Sequence, residues 1–93
     1  MDDPNKYNIE SFDILNDLVI KINFKDGKTQ IINFQKIYYD PWWKELEDIN
    51  YFRKVKINEI DNLSWPNGQD FMPEHLYYWE KYEKIYNNPR NYH

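Results

Sequence analysis

Large apolar side chains occupy every second position through residues 18–24, and a period of two continues through residues 29–34. Successive side chains of a β-strand point to opposite faces, so both segments are predicted to be strands with one buried face. Asp26 and Gly27 lie between them. An Asp-Gly pair between alternating segments predicts a hairpin with a type I′ turn, in which both central residues have positive φ.

Weaker patterns on either side extend the predicted sheet. Residues 9–15 alternate enough to predict a strand before the hairpin. Residues 55–57 and 63–65 predict a second pair of strands around a turn at residues 58–62. We therefore expect an antiparallel sheet of about four to five strands.

Two helices are predicted from the residues that begin them. Asp40 followed by Pro41 is typical of an N-cap and a first helical residue, which predicts a short middle helix through Leu46. Pro73, which follows Asp70 or Met72, begins a segment with helical spacing that continues to about residue 87. The fold class that follows is α+β.

The domain organisation is simple because the chain has 93 residues, which is enough for one domain. We expect a disordered start at residues 1–7 and a single α+β domain at residues 8–77. A C-terminal helix extension and tail would occupy residues 78–93. There is no internal repeat and no low-complexity linker.

Composition narrows the functional classes. The net charge of −4 and the lack of a basic stripe argue against direct binding of nucleic acid. There is no cysteine and no apolar stretch near the roughly 18 residues of a membrane span. The first six residues are acidic and lack an apolar run, so we do not expect them to be a signal peptide. These features favour a cytoplasmic protein. Four Trp, nine Tyr and five Phe are a large share of the apolar residues, so we expect an aromatic-rich core.

The sequence gives little support for catalysis, and we expect no enzyme activity, no cofactor and no metal. Without cysteine there is no thiol nucleophile, and two glycines are too few for a phosphate-binding loop. Asp70, Glu74 and His75 could be considered as metal ligands. However, Glu74 and His75 are adjacent on the predicted helix and therefore diverge by ~100°.

The segment from Ser64 to Tyr77 combines turn residues, an aromatic anchor and a helix start. Pro66-Asn67-Gly68 predicts a sharp turn. Asp70 has the side chain to accept N–H bonds near the following helix. Two interpretations remain open: turn chemistry that defines the fold, or a ligand or partner site. The residues we expect to define the fold are Asp26, Gly27, Trp65, Pro66, Asn67, Gly68, Asp70, Pro73, Leu76 and Tyr77.

This segment, together with residues 24–28 and 48–55, resembles the bacterial family called domain of unknown function 2442. The resemblance covers about residues 9–77, and the fixed positions of the family's "WPNG.D..PE.LY" block are all present. It implies a compact α+β domain. Some members carry a helix-turn-helix extension, and some lie beside a gene for a small toxin-like protein. The present extension is too short for a helix-turn-helix, and the resemblance implies no catalytic residue.

The surplus of aromatic residues is the main functional clue, and it has two interpretations. The rings could replace missing aliphatic residues in the core. Alternatively, they could form an exposed patch that binds a protein partner or a second copy of the chain, since Tyr and Trp are enriched at binding hot spots. The residues predicted for that patch are Tyr39, Trp42, Trp43, Tyr78, Trp79, Tyr82 and Tyr86.

The resulting hypothesis is a non-catalytic protein-binding module, such as an antitoxin-like or accessory partner of another small bacterial protein. One alternative is a phage or mobile-element inhibitor of a host nuclease, because an acidic compact protein can occupy a basic channel. Another is a nucleic-acid-associated regulator, which would bind an oligonucleotide in a salt-dependent way.

Overall fold

The computed structural model describes residues 6–35, 37 and 41–87, with the side chains of residues 41–43 left outside the description. The predicted disordered start and the Asp40 cap therefore lie mostly or wholly outside the described residues. In chain order the elements are β1 Ile9–Asn16, β2 Val19–Phe24, β3 Thr29–Asn33, a 3₁₀ helix Pro41–Glu47, α1 Ile49–Phe52, β4 Lys56–Ile57, β5 Leu63–Ser64, α2 Pro73–Tyr77 and α3 Trp79–Asn87.

The five strands form two antiparallel sheets, one with the order β1-β2-β3 and one made of β4 and β5. The α+β class and the strand count are confirmed, but the strands do not join into one sheet. β4 and β5 pair over only two residues each. The N–H of Ile9 donates to the carbonyl of Asp61 at 2.8 Å, which connects the start of β1 to the β4–β5 turn.

The period of two correctly predicts which face of the hairpin is buried. Ile20, Ile22 and Phe24 are buried on β2, and Ile32 is buried directly opposite Ile20 on β3. Phe34 follows on the same face and is also buried. Burial of one face fixes the register, because a slip by one residue would expose this whole set of side chains.

The turn after β2 is not type I′. Phe24 N–H donates to the Lys28 carbonyl at 2.8 Å, and Gly27 N–H donates to the Phe24 carbonyl at 3.0 Å. Of the two predicted turn residues, only Gly27 has positive φ, at 98°. The loop therefore contains three residues, in a type I turn that ends in a left-handed position.

The same hydrogen-bond pattern occurs in two further loops. Residues 58–62 and 65–69 each have an N–H that donates to the carbonyl four residues later, and an N–H three residues later that donates back. Their positive-φ positions are Asp61 at 59° and Gly68 at 91°. One turn geometry thus closes the hairpin, joins β4 to β5 and forms the Pro66-Asn67-Gly68 turn that the sequence predicts.

Rings fill the centre of the core. The Trp65 side chain is 2% exposed, and its Nε1–H donates to the carbonyl of Phe52 at 2.9 Å. Phe34 lies 5.3 Å from Phe71 and 5.9 Å from Trp79, measured between ring centroids. Trp65, the predicted aromatic anchor, thus lies in this core.

The predicted helix of residues 73–87 is in fact two helices, separated at Tyr78, where φ is −110° and ψ is 44°. Tyr77 and Trp79 are both buried. Side chains two positions apart diverge by ~160° on one straight helix, so the change of direction lets both rings reach the core. The start at Pro73 is as predicted, with Met72 as the N-cap residue.

The segment that follows the predicted middle helix forms a helix of its own, α1. Asp48 is the N-cap of α1, and its carboxylate accepts from the N–H of Asn50 at 2.9 Å. The preceding predicted helix is a 3₁₀ helix in which Leu46 is buried. The two short elements together replace the single middle helix that we expected.

We predict that Gly27→Ala lowers the free energy of unfolding by about 1–2 kcal/mol, because an L-residue is strained at positive φ. No atom lies within 4 Å of an added Cβ, so a steric clash does not contribute. Gly27→Asn is the control and should lose less, since Asn tolerates left-handed backbone. Urea unfolding measures both, and an alanine variant as stable as the wild type would contradict the turn assignment.

Candidate binding surface

A network of polar side chains holds the 65–69 loop. Both carboxylate oxygens of Glu45 accept from the Asn67 side-chain amide, at 2.8 and 2.9 Å. One of them also accepts from Gln69 Nε2 at 2.9 Å. The hydroxyl of Tyr51 donates to Gln69 Oε1 at 2.6 Å and accepts from the Asn67 N–H at 2.8 Å. The loop is thereby attached to the 3₁₀ helix and to α1.

This network gives the motif a structural role. The hydrogen bonds from Asn67 and then from Gln69 stabilise the charged form of Glu45 and lower the pKa of its carboxyl group. The Gln69 side chain is buried. Asp70, in contrast, is exposed, and α2 begins after the N-cap residue Met72 without a side-chain cap hydrogen bond.

One hydrogen bond joins the first and the last of the three segments that resemble the family, residues 24–28 and 64–77. The Tyr77 hydroxyl donates to the Asp26 carboxylate, which lies in the β2–β3 turn. This bond is the main reason that the pKa of Asp26 is lowered, and it raises the pKa of Tyr77. It joins the end of α2 to the hairpin across 51 positions of sequence.

Two lysines lie against the rings beside this bond. The Lys6 ammonium donates to the Tyr78 hydroxyl at 2.7 Å and lies 5.4 Å from the Tyr77 ring centroid. The Lys28 ammonium lies 4.3 Å from the same centroid. Cations are attracted to the faces of aromatic rings. The cluster therefore holds residue 6 and the hairpin turn against α2.

Two of the seven residues predicted for the aromatic binding patch are buried. Trp79 is 5% exposed and Tyr86 is 4% exposed, so both rings belong to the core. They stack on one another at 5.3 Å. Tyr78 and Tyr82 are half-buried, and Tyr82 stacks on His75 at 4.2 Å. For these residues, the interpretation of aromatics as core packing accounts for the burial.

The remaining members of the predicted patch cannot be placed. Tyr39 lies outside the described residues, as do the side chains of Trp42 and Trp43. The described residues contain no group of three or more potential metal-ligating side chains. His75 contacts the Tyr86 hydroxyl, and burial lowers the pKa of the imidazole.

An open groove lies between β3 and α3, and the sequence analysis did not predict it. Its volume is about 470 Å³. Ile31 contributes one apolar wall and is 58% exposed. The residues that line the groove are Ile31, Asn33 and Gln35 on one side and Trp79, Glu83 and Asn87 on the other.

Among the described residues, the side of the β3 backbone that faces away from β2, next to this groove, is unpaired. The Phe24 N–H donates to the Lys28 carbonyl just before β3, and the Phe34 N–H donates to the Leu18 carbonyl just after it. Lys28 and Phe34 therefore direct their backbone groups toward β2. Alternate residues of an antiparallel strand direct their backbone groups to opposite sides. Thr29, Ile31 and Asn33 therefore direct theirs away from β2, and within the described part of the chain these groups make no hydrogen bond.

Comparison with known families supports the resemblance noted above. The model of the family described as "Protein of unknown function (DUF2442)" matches residues 9–82, which is well over half of the chain. The chain belongs to the DUF2442 family. The match includes the first four residues of α3, so one wall of the groove begins within the family region. No curated protein and no solved structure matches the chain.

The DUF2442 family is defined without a known function, so the match does not assign an activity to the chain. Among the described residues, no helix has the length and apolar character needed to cross a membrane. In the part of the chain that the structure describes, the groove and the open edge of β3 are the candidate binding features of this DUF2442 domain.

We predict that Tyr51→Phe lowers the free energy of unfolding by about 1–3 kcal/mol, because it removes the two hydrogen bonds that fix the 65–69 loop. Tyr82→Phe is the matched control, since no hydrogen bond of its hydroxyl occurs within the described ranges. Chemical denaturation measures both variants. Equal stability of the two would contradict the importance of the network.

We predict that Tyr77→Phe raises the pKa of Asp26 toward its ordinary value of 3.8. A carboxyl group whose pKa is lowered by folding stabilises the fold above its unfolded pKa. That contribution is lost as the pH falls through the folded pKa. The variant should therefore lose less stability than the wild type on acidification below about pH 3.8.

Carboxyl-carbon NMR titration of Asp26 measures this pKa shift directly. Tyr82→Phe should leave the Asp26 titration unchanged. An Asp26 pKa that is the same with and without the Tyr77 hydroxyl would show that the bond does not hold the charged form.

Proposed function

We propose that this DUF2442 domain is a non-catalytic protein-binding module and that its contact surface is the groove between β3 and α3. The observation that carries the proposal is the contrast between the two edges of the three-stranded sheet. Exposed strand edges promote pairing with other chains, and proteins usually protect them with charges, proline or bulges.

The β1 edge has such protection. Its register with β2 shifts twice, between Ile9 and Ser11 and between Ile14 and Asn16. Glu10 and Asp13 add charge along the strand. β3 pairs with β2 without any shift, and it contains no charged residue and no proline. An edge that is regular, neutral and partly apolar favours pairing with a partner.

The partner that fits the family context best is another small bacterial protein, as in an antitoxin-like or accessory pair. This part of the proposal rests on analogy with the family members that lie beside toxin-like genes. The difference between the β1 and β3 edges supports β3 as the position of such a contact. Binding of this kind needs no catalytic side chain, which fits the proposal of a non-catalytic module.

The test is an affinity pull-down with the tagged full chain, from nuclease-treated lysate of the native host, read by mass spectrometry. Ile31→Lys places a charge at the groove and should abolish capture of a stoichiometric partner. Ile60→Lys is the matched control: Ile60 is 64% exposed, but it lies in the β4–β5 turn. The Ile60→Lys variant should still capture the partner.

Circular dichroism of both variants checks that the fold is intact. Capture that is lost equally in both variants, or kept equally in both, would contradict the groove as the contact surface. If the wild-type chain captures no protein, the proposal of a binding module fails.

A further inference from the structure

We infer that the groove takes an extended segment of the partner, which adds to β3 as a fourth strand and directs a Lys or Arg side chain toward Glu83. This inference rests on the proposed function and specifies the chemistry of the partner. Addition of a strand to an open edge is a general mode of peptide recognition, in which backbone bonds give affinity and side-chain contacts give specificity.

The backbone of β3 sets the length of the segment. Thr29, Ile31 and Asn33 together offer three N–H donors and three carbonyl acceptors along the free edge. Successive outward residues on a strand are about 6.8 Å apart. A partner strand of about five residues is therefore long enough to pair with all of these groups.

The side chains of the groove indicate a positively charged occupant. Glu83 has no salt bridge within the described residues, whereas Glu80 lies 3.9 Å from Lys28 and accepts from Gln30. Asn87 also lines the groove, and its Oδ1 is buried without a hydrogen-bond partner in the described chain. A carboxylate and an amide oxygen favour a donor-rich cation, because Lys and Arg carry only donors.

The same charges argue against a second copy of the chain as the occupant. β3 contains no basic residue, so a β3–β3 pair would bring no cation from that strand to Glu83. Each copy also has a net charge of −4, and like net charges oppose association. A partner segment that combines apolar and basic residues can contact both the apolar side chain of Ile31 and the carboxylate of Glu83.

The experiment uses synthetic heptapeptides of alternating sequence as probes. A Val/Arg peptide presents arginine on one face and valine on the other, and a Val/Glu peptide reverses the charge. A third peptide has the Val/Arg sequence with alternate backbone amides N-methylated, which blocks hydrogen bonding to an edge. Amide NMR shifts and hydrogen exchange at Thr29, Ile31 and Asn33 of the full chain report binding.

The Val/Arg peptide at about 1 mM should shift and protect these three amides, and the N-methylated and Val/Glu peptides should not. Glu83→Lys should weaken binding about tenfold, since it replaces an attraction by a repulsion. Glu59→Lys is the matched control. It changes the net charge equally, but it lies in the β4–β5 turn, so it should weaken binding less than about twofold.

Other outcomes overturn the inference. If no peptide affects the edge amides, strand addition is wrong, and the proposed function still stands where capture depends on Ile31. Equal weakening by Glu83→Lys and Glu59→Lys would indicate unspecific charge attraction. Protection of the edge amides that grows with protein concentration, without peptide, would identify a second copy as the occupant.

Discussion

The packing of Phe34 against rings from the rest of the chain determines how this domain is assembled. Phe34 follows directly after β3, and its ring lies within 6.1 Å of Phe52, Trp65, Phe71 and Trp79 between centroids. Three of these rings come from α1, from the 65–69 loop and from α3. Aromatic pairs at such distances contribute about 0.5–1.5 kcal/mol each beyond the area they bury. The end of the hairpin is thereby tied to elements far along the sequence.

That packing also creates the groove. Trp79 is fixed in the core by Phe34 and Tyr86, which sets the position of the first turn of α3 beside the end of β3. The remaining turns of the helix then run past the strand edge. Gln30 donates to the Tyr77 carbonyl and to Glu80, both at 3.0 Å, and so holds the helix junction near the strand without covering its outward backbone groups. A buried ring thus positions a surface feature.

The parts of the fold that could be predicted from the sequence are those set by local pattern. The buried face of β2 and β3 follows from alternation, because Ile20, Ile22 and Ile32 all lie on it. The break at Tyr78 could not be predicted in this way. Helical spacing continues through it, and only the tertiary demand to bury both Tyr77 and Trp79 favours two helices. The burial of Trp79 and Tyr86 could not be predicted for the same reason, since exposure of a ring depends on packing that no local pattern records.

The groove could not be predicted from the residues that line it, yet a signal for it exists in the sequence. Edge strands are recognised by the devices that protect them, and Thr29–Asn33 has neither charge nor proline. Position in the sheet was the missing information, because the same five residues would be unremarkable in a central strand. At this edge the net charge of −4 opposes pairing between two copies of the chain. Two copies of an acidic chain repel each other, so pairing between their neutral edges is disfavoured. The basic strand that we propose as the partner does not meet this repulsion.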